Sequence, residues 1–213
     1  MLVFGLDSTR DEKRGAHCSS IQSISPSTPL FGQRLIGQPQ IALAELVKNS
    51  YDADAFTCRI TFSKDRIEIN DDGHGMALDE FRNYWMRIAT THKLEDRHSR
   101  KLKRPLTGSK GIGRLAAQFL AKDLTLETSA EPDTAQMLYA IVDWGKVEPG
   151  EDLQSVLVEY EHRPSEHIFP YNSATGTRIT LSGLKEAWTP DRIRELGDEL
   201  WRLRSPFRIQ ARG

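Results

Sequence analysis

Residues 41–55 read IALAELVKNSYDADA, and the spacing of apolar and polar side chains in this stretch decides the fold. The stretch is rich in helix formers. Leu43, Leu46, Val47 and Ser50 recur at helical spacing, so it is expected to be a helix with one buried face. Glu45, Asn49 and Asp52 stand at i, i+4 and i+7, which places them together on a second face, opposite the first, where their heads can converge. A merely solvated polar face would read the same way, and the helix by itself does not separate the two.

Beyond this helix, CRITF (58–62) and RIEIN (66–70) alternate apolar and polar residues around the short polar SKD. They predict a β-hairpin with Ile60, Phe62, Ile67 and Ile69 inward. The second strand runs directly into DDGHGM (71–76). An Asp at a strand end followed by alternate glycines permits a tight turn and close backbone approach to a ligand. Such a carboxylate can accept a hydrogen bond from an exocyclic amine in a largely apolar pocket; an ordinary Asp/Gly turn is the alternative. A calcium loop does not fit, because the alternating carboxylates and closing Glu are missing at the required spacing.

Phe81, Tyr84, Trp85 and Ile88 then predict a helix with one apolar face. The following stretch HKLEDRHSRKLKR (92–104), closed by Pro105, is polar and largely basic and is expected to be a mobile loop or lid. Glu95 and Asp96 interrupt its positive charge and no aromatic residues are interleaved, so a solvated lid is favoured over a nucleic-acid surface. GSKGIGR (108–114) opens the apolar helix RLAAQFLA, an arrangement whose backbone N–H groups and helix dipole suit an anion. A glycine-rich cap or helix–helix contact is the alternative. It is not a Walker A loop, since Arg114 and Leu115 follow Gly113 where Lys and Ser or Thr are required. Its glycine spacing and the polar loop before it also exclude a dinucleotide fingerprint.

Strand-like segments follow at DLTLETS, MLYAIVDW, SVLVEYE and GTRITLSGL, and a last helix over 190–204 carries Ile193, Leu196, Leu200 and Leu203. Together these predict an α+β, two-layer sandwich with helices on one face of a mixed, mostly antiparallel sheet. Residues 1–30, charged and then rich in Ser and Pro, are expected to be a flexible arm, and 31–213 one principal domain.

The 213 residues are 38% hydrophobic and 28% charged, the balance of a globular chain. With a net charge of −1, no global field attracts nucleic acid or an anionic membrane. No apolar run approaches the roughly 18 residues needed to span a bilayer, and the apolar opening is too short for a signal-peptide core, so a cytoplasmic location is expected. Cys18 and Cys58 have neither metal-ligand nor disulfide spacing, and Cys58, beside an apolar strand, reads as a buried structural thiol.

ELVKNSYDADA, DDGHGM, TGSKGIGRLAAQFL and GTRITL occur in the order and approximate spacing of the GHKL (Bergerat-fold) ATPases. That superfamily includes gyrase B subunits, MutL repair proteins, HSP90-like chaperones and Microrchidia ATPases. The resemblance covers about residues 38–181, and its texture is most similar to chaperone-like and Microrchidia-like bacterial members. It implies ATP and Mg²⁺ as ligands, with Glu45 orienting or deprotonating water, Asn49 holding Mg²⁺ and Asp52 supporting that site. It makes Asp71 the adenine-reading carboxylate, with Gly73 and Gly75 allowing close approach, Met76 packing on the purine and Thr177 beside the water network. Gly108, Ser109, Lys110, Gly111, Ile112 and Gly113 would wrap the phosphates, with Lys93 as a further candidate. Glu45 favours hydrolysis over the phosphotransfer of histidine kinases, and no separate phosphoacceptor His helix is evident. Two outputs remain open: an ATPase whose nucleotide state drives lid closure and dimerisation, or an ATP-gated clamp in repair, antiviral defence or chaperoning with slow or partner-dependent turnover. A non-catalytic binder of adenine metabolites is a poorer third. Members of the gyrase and MutL type complete their site with a basic residue from a following domain, so this chain is expected to be part of a longer protein or assembly and to dimerise through downstream domains.

Overall fold

Helix α1 (Pro39–Asp52) starts with Pro39 in its first turn, where a missing N–H costs nothing, after an extended Gln38. It ends where the Ala53 N–H bonds the Asn49 carbonyl at 2.9 Å and Asp54 takes a left-handed φ of 64°. Leu43, Leu46 and Val47 are buried as their spacing requires. The opposite side is not solvated: Glu45 and Asp52 are only 9% and 8% exposed. Of the two readings of that face, the solvated one is set aside, with Asn49 between them half-buried.

The computed structural model describes residues 2–6, 38–85, 98–107, 112–144 and 158–201, with 2–6, 83, 84 and 112–115 described through the backbone. Strands β1 (Leu2–Leu6), β2 (Cys58–Phe62), β3 (Arg66–Asp71), β4 (Ala121–Ala130), β5 (Asp133–Asp143), β6 (Val158–Pro164) and β7 (Gly176–Leu184) form one sheet in the order β1-β2-β3-β7-β4-β5-β6. Among the described residues only the β1–β2 pairing is parallel. The expected arm therefore contributes an edge strand at its start, with Leu2 opposite Cys58 and Leu6 opposite Phe62. The short apolar LVFGL gains its ladder only from a partner more than fifty residues away, which local pattern does not show. Residues 7–37 lie outside the described residues.

The hairpin register places Ile60, Ile69, Ile179, Leu126 and Ala140 in one row across the sheet. Phe62, Ile67, Leu181, Leu124, Val142 and Val158 form the next row on the same face. All are buried, and they share a core with Leu43 and Leu46 of α1, Ala116 and Leu120 of α3 (Ile112–Leu120) and Leu196 and Leu200 of α4 (Pro190–Trp201). This is the mixed, mostly antiparallel sheet with helices packed against it that the pattern predicts. The helix expected around 81–88 is instead a short α2 (Leu78–Glu80) running into a π-helical turn, Phe81–Trp85. There Phe81 is fully buried and stacks on Trp85 at 5.4 Å. Ile88 and Leu203 lie outside the described residues. Among the described residues no helix is long and apolar enough to cross a membrane.

Candidate functional site

The core rows continue toward one end of the sheet as a polar row: Asp71 on β3, Thr177 on β7 and Thr128 on β4 lie opposite one another in register. Asp71, 4% exposed, accepts hydrogen bonds from Ser50 Oγ on α1 at 2.7 Å and from the Gly73 N–H at 2.9 Å. Burial pushes its carboxyl up to about 6, against the opposing effect of the Ser50 hydroxyl and the Gly73 and Thr177 amides, with the Asp72 charge adding to the rise. A carboxylate has about four lone-pair sites, so these donors leave it acceptor capacity for a further N–H. Cys58, opposite Asp71 on β2, is buried, and burial together with the Asp71 charge pushes its thiol up to about 12. That is the inert thiol expected; Cys18 lies outside the described residues.

The Ser50–Asp71 bond joins the strand end to α1, whose preceding residue is Asn49. Asn49 is half-buried, and among the described residues its side-chain amide makes no hydrogen bond. Glu45, one turn earlier, has Oε1 at 2.6 Å from Lys48 Nζ. Asp52 Oδ1 accepts the Thr107 N–H at 2.8 Å and the Thr107 hydroxyl at 3.1 Å, so α1 also grips the residue just before the glycine turn. Helix α1 thus meets both the Asp71 segment and the approach to 108–113. The backbone of Ile112 and Gly113 opens α3, as expected, while Lys93, Gly108, Ser109, Lys110 and Gly111 lie outside the described residues.

The glycines of DDGHGM are required by the protein's own chain. A Cβ on Gly73 would stand 2.8 Å from the Ala53 carbonyl oxygen. One on Gly75, at φ +65°, would stand 1.9 Å from that of Ser129. Gly75→Ala is therefore expected to cost about 3 kcal/mol or more, read as a fall in the denaturant midpoint, because backbone strain and a backbone clash coincide. Asp72, the other acid of the pair, accepts the Phe56 and Thr57 amides at 2.8 and 2.7 Å and closes the turn after α1.

Sequence reasoning missed Ser50 as a site residue, placing it only in the apolar stripe, and missed Thr128. Thr128 Oγ1 accepts the Met76 N–H at 2.9 Å, donates to the Gly176 carbonyl at 2.9 Å and lies 3.2 Å from Thr177 Oγ1. It thereby fixes Met76 and Thr177 together beside Asp71. A threonine within a strand carries no local mark of this, and only the β4–β7 register supplies it. The β4–β5 ladder shifts register between Thr128 and Ala130, an irregularity of the kind common beside functional sites.

The basic stretch expected as a mobile lid is, over 98–107, docked on the end of α1. The Ser99 N–H donates to the Arg104 carbonyl at 2.8 Å, and His98 and Pro105 form a bridge. Asp54 accepts the Lys101 and Leu102 amides at 2.7 and 3.2 Å. Burial alone would raise the Asp54 carboxyl, but the Ser99 hydroxyl, these amides and the Arg104 cation hold it below its ordinary value. Arg104 donates to the carbonyls of Ala55 and Tyr51 at 2.8 and 3.3 Å and lies over the Tyr51 ring. Its charge complements the negative end of the helix. Glu80 pairs with Arg100 at the same clip. These positive charges are spent on the protein's own acceptors, which sequence pattern could not reveal; 86–97 lie outside the described residues.

Asp54→Ala is expected to raise tryptic cleavage after Arg100, Lys101 and Lys103 by about tenfold or more, followed by mass spectrometry, since opening the clip then loses about 1–3 kcal/mol of opposing free energy. Because the folded-state carboxyl is held low, this contribution is present above the unfolded value of 3.8 and is lost as the pH falls through the folded one.

Residues 37–175 match the family model of the histidine kinase-, DNA gyrase B- and HSP90-like ATPases. The chain is 30% identical over 143 residues to the "Putative type II restriction enzyme HgiDII" of Herpetosiphon aurantiacus, an alignment covering 67% of this chain and 22% of that protein. The chain thus spans less than a quarter of that relative's length. A crystal structure of the N-terminal domain of a DNA repair protein superposes with a TM-score of 0.45 and 19% identity, covering 80% of this chain and 43% of that one. The family match runs from the start of α1 to the loop before β7, through the segments that converge around Asp71. On that match the chain belongs to the histidine kinase-, DNA gyrase B- and HSP90-like ATPases and carries a GHKL ATP-binding domain.

Proposed function

We propose that this domain binds ATP with Mg²⁺ and acts as the nucleotide-gated module of a longer protein. In this reading nucleotide state drives closure and dimerisation, and turnover is slow or partner-dependent. The observation that carries the proposal is the Ser50–Asp71 hydrogen bond of 2.7 Å, which sets a buried, base-reading carboxylate against the helix that bears Glu45 and Asn49. Asp71 takes the exocyclic amine of adenine, Met76 packs on the purine, and Thr177 with Thr128 holds the polar edge beside it. Gly73 and Gly75 keep this turn close. The phosphates fall to Gly108, Ser109, Lys110, Gly111, Ile112 and Gly113, with Lys93 as a further cation, following the family resemblance.

The donors on α1 fit Mg²⁺, a hard ion that prefers oxygen and retains water. Asn49 offers an amide oxygen with no competing bond among the described residues. Among them no group of three or more His, Cys, Asp or Glu could hold a metal alone, so a metal here takes its remaining ligands from nucleotide and water. When bound, Mg²⁺ supplies charge neutralisation for the triphosphate. Glu45 orients the attacking water and takes its proton as the water oxygen bonds the γ-phosphorus and the bridging oxygen leaves with ADP. Asp52 serves through Thr107 rather than by direct contact.

The slow, gated output is preferred because the relative is described as a putative type II restriction enzyme and this chain matches only 22% of it. A nucleotide-operated part of a larger machine on DNA fits both facts, more closely than a chaperone-like or Microrchidia-like placement does. Domain limits of 31–213 and a cytoplasmic site of action belong to the same proposal. Calorimetry with Mg²⁺-ATP, ADP and adenosine tests the binding, phosphate release tests turnover, and light scattering with and without nucleotide tests dimerisation. Absence of binding heat for every nucleotide sinks the proposal, while brisk turnover by a monomer removes the gated form. If the basic segment held DNA, that contact would weaken steeply with salt, and a flat response dismisses the idea.

A further inference from the structure

Lys48 plays no part in the reading so far, yet its ammonium lies 2.6 Å from Glu45 Oε1 on the helix face that carries Asn49. At 3.6 residues per turn Lys48 lies about 60° around the helix from Glu45, and Asn49 about 40° to the other side. Cation, carboxylate and amide therefore share one arc. The pair is not an ordinary surface contact: the lysine side chain is 23% exposed and the glutamate 11%. An exposed i,i+3 pair stabilises a helix by only about 0.2–0.5 kcal/mol. A partly desolvated one is held more firmly and costs more to leave broken. Its consequence for chemistry is specific. A carboxylate oxygen bound to an ammonium is a poor acceptor for a water proton, and Glu45 is the residue from which proton acceptance is required.

We propose that Lys48 is a positioning residue that holds Glu45 idle in the nucleotide-free protein and transfers to a phosphate oxygen of bound triphosphate. The hold of Lys48 on the carboxylate is then lifted only when the substrate is in place. The inference rests on the ATP-binding reading above and deepens it by assigning the trigger. A triphosphate brings several negative charges beside Asn49, and these outcompete a single carboxylate for the ammonium. Lysine suits the exchange because its three donors sit on a flexible four-carbon stem, so the head can change partners without the helix moving.

The test is a double-substitution cycle on the full chain by calorimetry, using Mg²⁺-ATP and adenosine as probes. Adenosine reads the Asp71 pocket and reports folding. Lys48→Gln is expected to weaken ATP by about tenfold and leave adenosine unchanged, because one charge-assisted contact is lost. Glu45→Gln is expected to tighten ATP about three- to tenfold by freeing the ammonium, and the gain is expected to vanish in the double variant. Lys48→Arg, which keeps the charge, is expected to recover part of the ATP affinity. Equal ATP affinity in wild type and Lys48→Gln, parallel losses for ATP and adenosine, or a Glu45→Gln gain that persists without Lys48 would each overturn the proposal. A wild-type chain that binds neither probe overturns the site reading itself, and the inference with it.

Discussion

Asp71→Asn is expected to weaken nucleotide binding by about a hundredfold or more while making the protein more stable at neutral pH, two effects of opposite sign from one carboxylate. In the folded chain burial holds the Asp71 carboxyl at about 6, above its ordinary 3.8. A group raised in this way contributes stability that is fully present below the unfolded value and is lost as the pH rises through the folded one. Between pH 4 and pH 6 the unfolded chain ionises while the native carboxyl still holds its proton, and above about pH 6 the native protein carries a buried charge. The gap corresponds to an upper bound of about 3 kcal/mol, and about 1–2 kcal/mol is the expected recovery in Asp71→Asn at pH 7.5, measured by urea denaturation. The amide oxygen retains the Gly73 donor, and the Ser50 hydroxyl can rotate to accept from the amide nitrogen while donating back along its helix. A loss of stability at pH 7.5 would contradict this electrostatic account.

Binding moves the other way. An adenine amine is a donor, and an amide nitrogen turned toward it meets donor with donor, so ATP affinity is expected to fall at least about a hundredfold. In the wild type, affinity should decline as the pH drops below about 6 and the carboxyl protonates. Because the bound amine favours the charged form, binding near pH 6 should also release a proton, visible as a heat that depends on the buffer's ionisation enthalpy. Affinity unchanged from pH 5 to pH 8, or retained in Asp71→Asn, removes Asp71 as the base reader.

Glu45→Ala is expected to reduce ATP turnover by about a hundred- to ten-thousandfold without weakening ATP binding. The affinity is expected to be preserved because the phosphate and adenine contacts lie on other residues, and the freed Lys48 loses a competitor. Under the gated reading the variant also accumulates a nucleotide-bound dimer, since closure is reached and the reset step is not. Phosphate release in single-turnover conditions, combined with light scattering, measures both. Turnover within a few-fold of wild type would show that water is managed by another group.

Much of the fold was open to the sequence because its signals are periodic. The buried face of 39–52, the alternation of 58–62 and 66–71 and the stripe at Leu196 and Leu200 each follow from one local rule and hold in the structure. The relation of those segments to a nucleotide family came from the order of several short motifs, none of which is decisive alone. The polar residues at i, i+4 and i+7 were found by spacing, but spacing could not tell an open face from the enclosed one that the structure shows.

What the chain's own order of residues settled was therefore the kind of fold and which segments, α1, the end of β3 and the start of α3, the family match runs through. Periodicity and motif order are local quantities, and local quantities carry that information. The tertiary structure alone settled the partners: Ser50 on Asp71, Thr128 on Met76 and Thr177, Thr107 on Asp52 and the 98–107 clip on Asp54. Each joins residues 21 to 55 positions apart. Such contacts arise from strand register and from the need to satisfy buried donors and acceptors across elements, which no window along the chain contains.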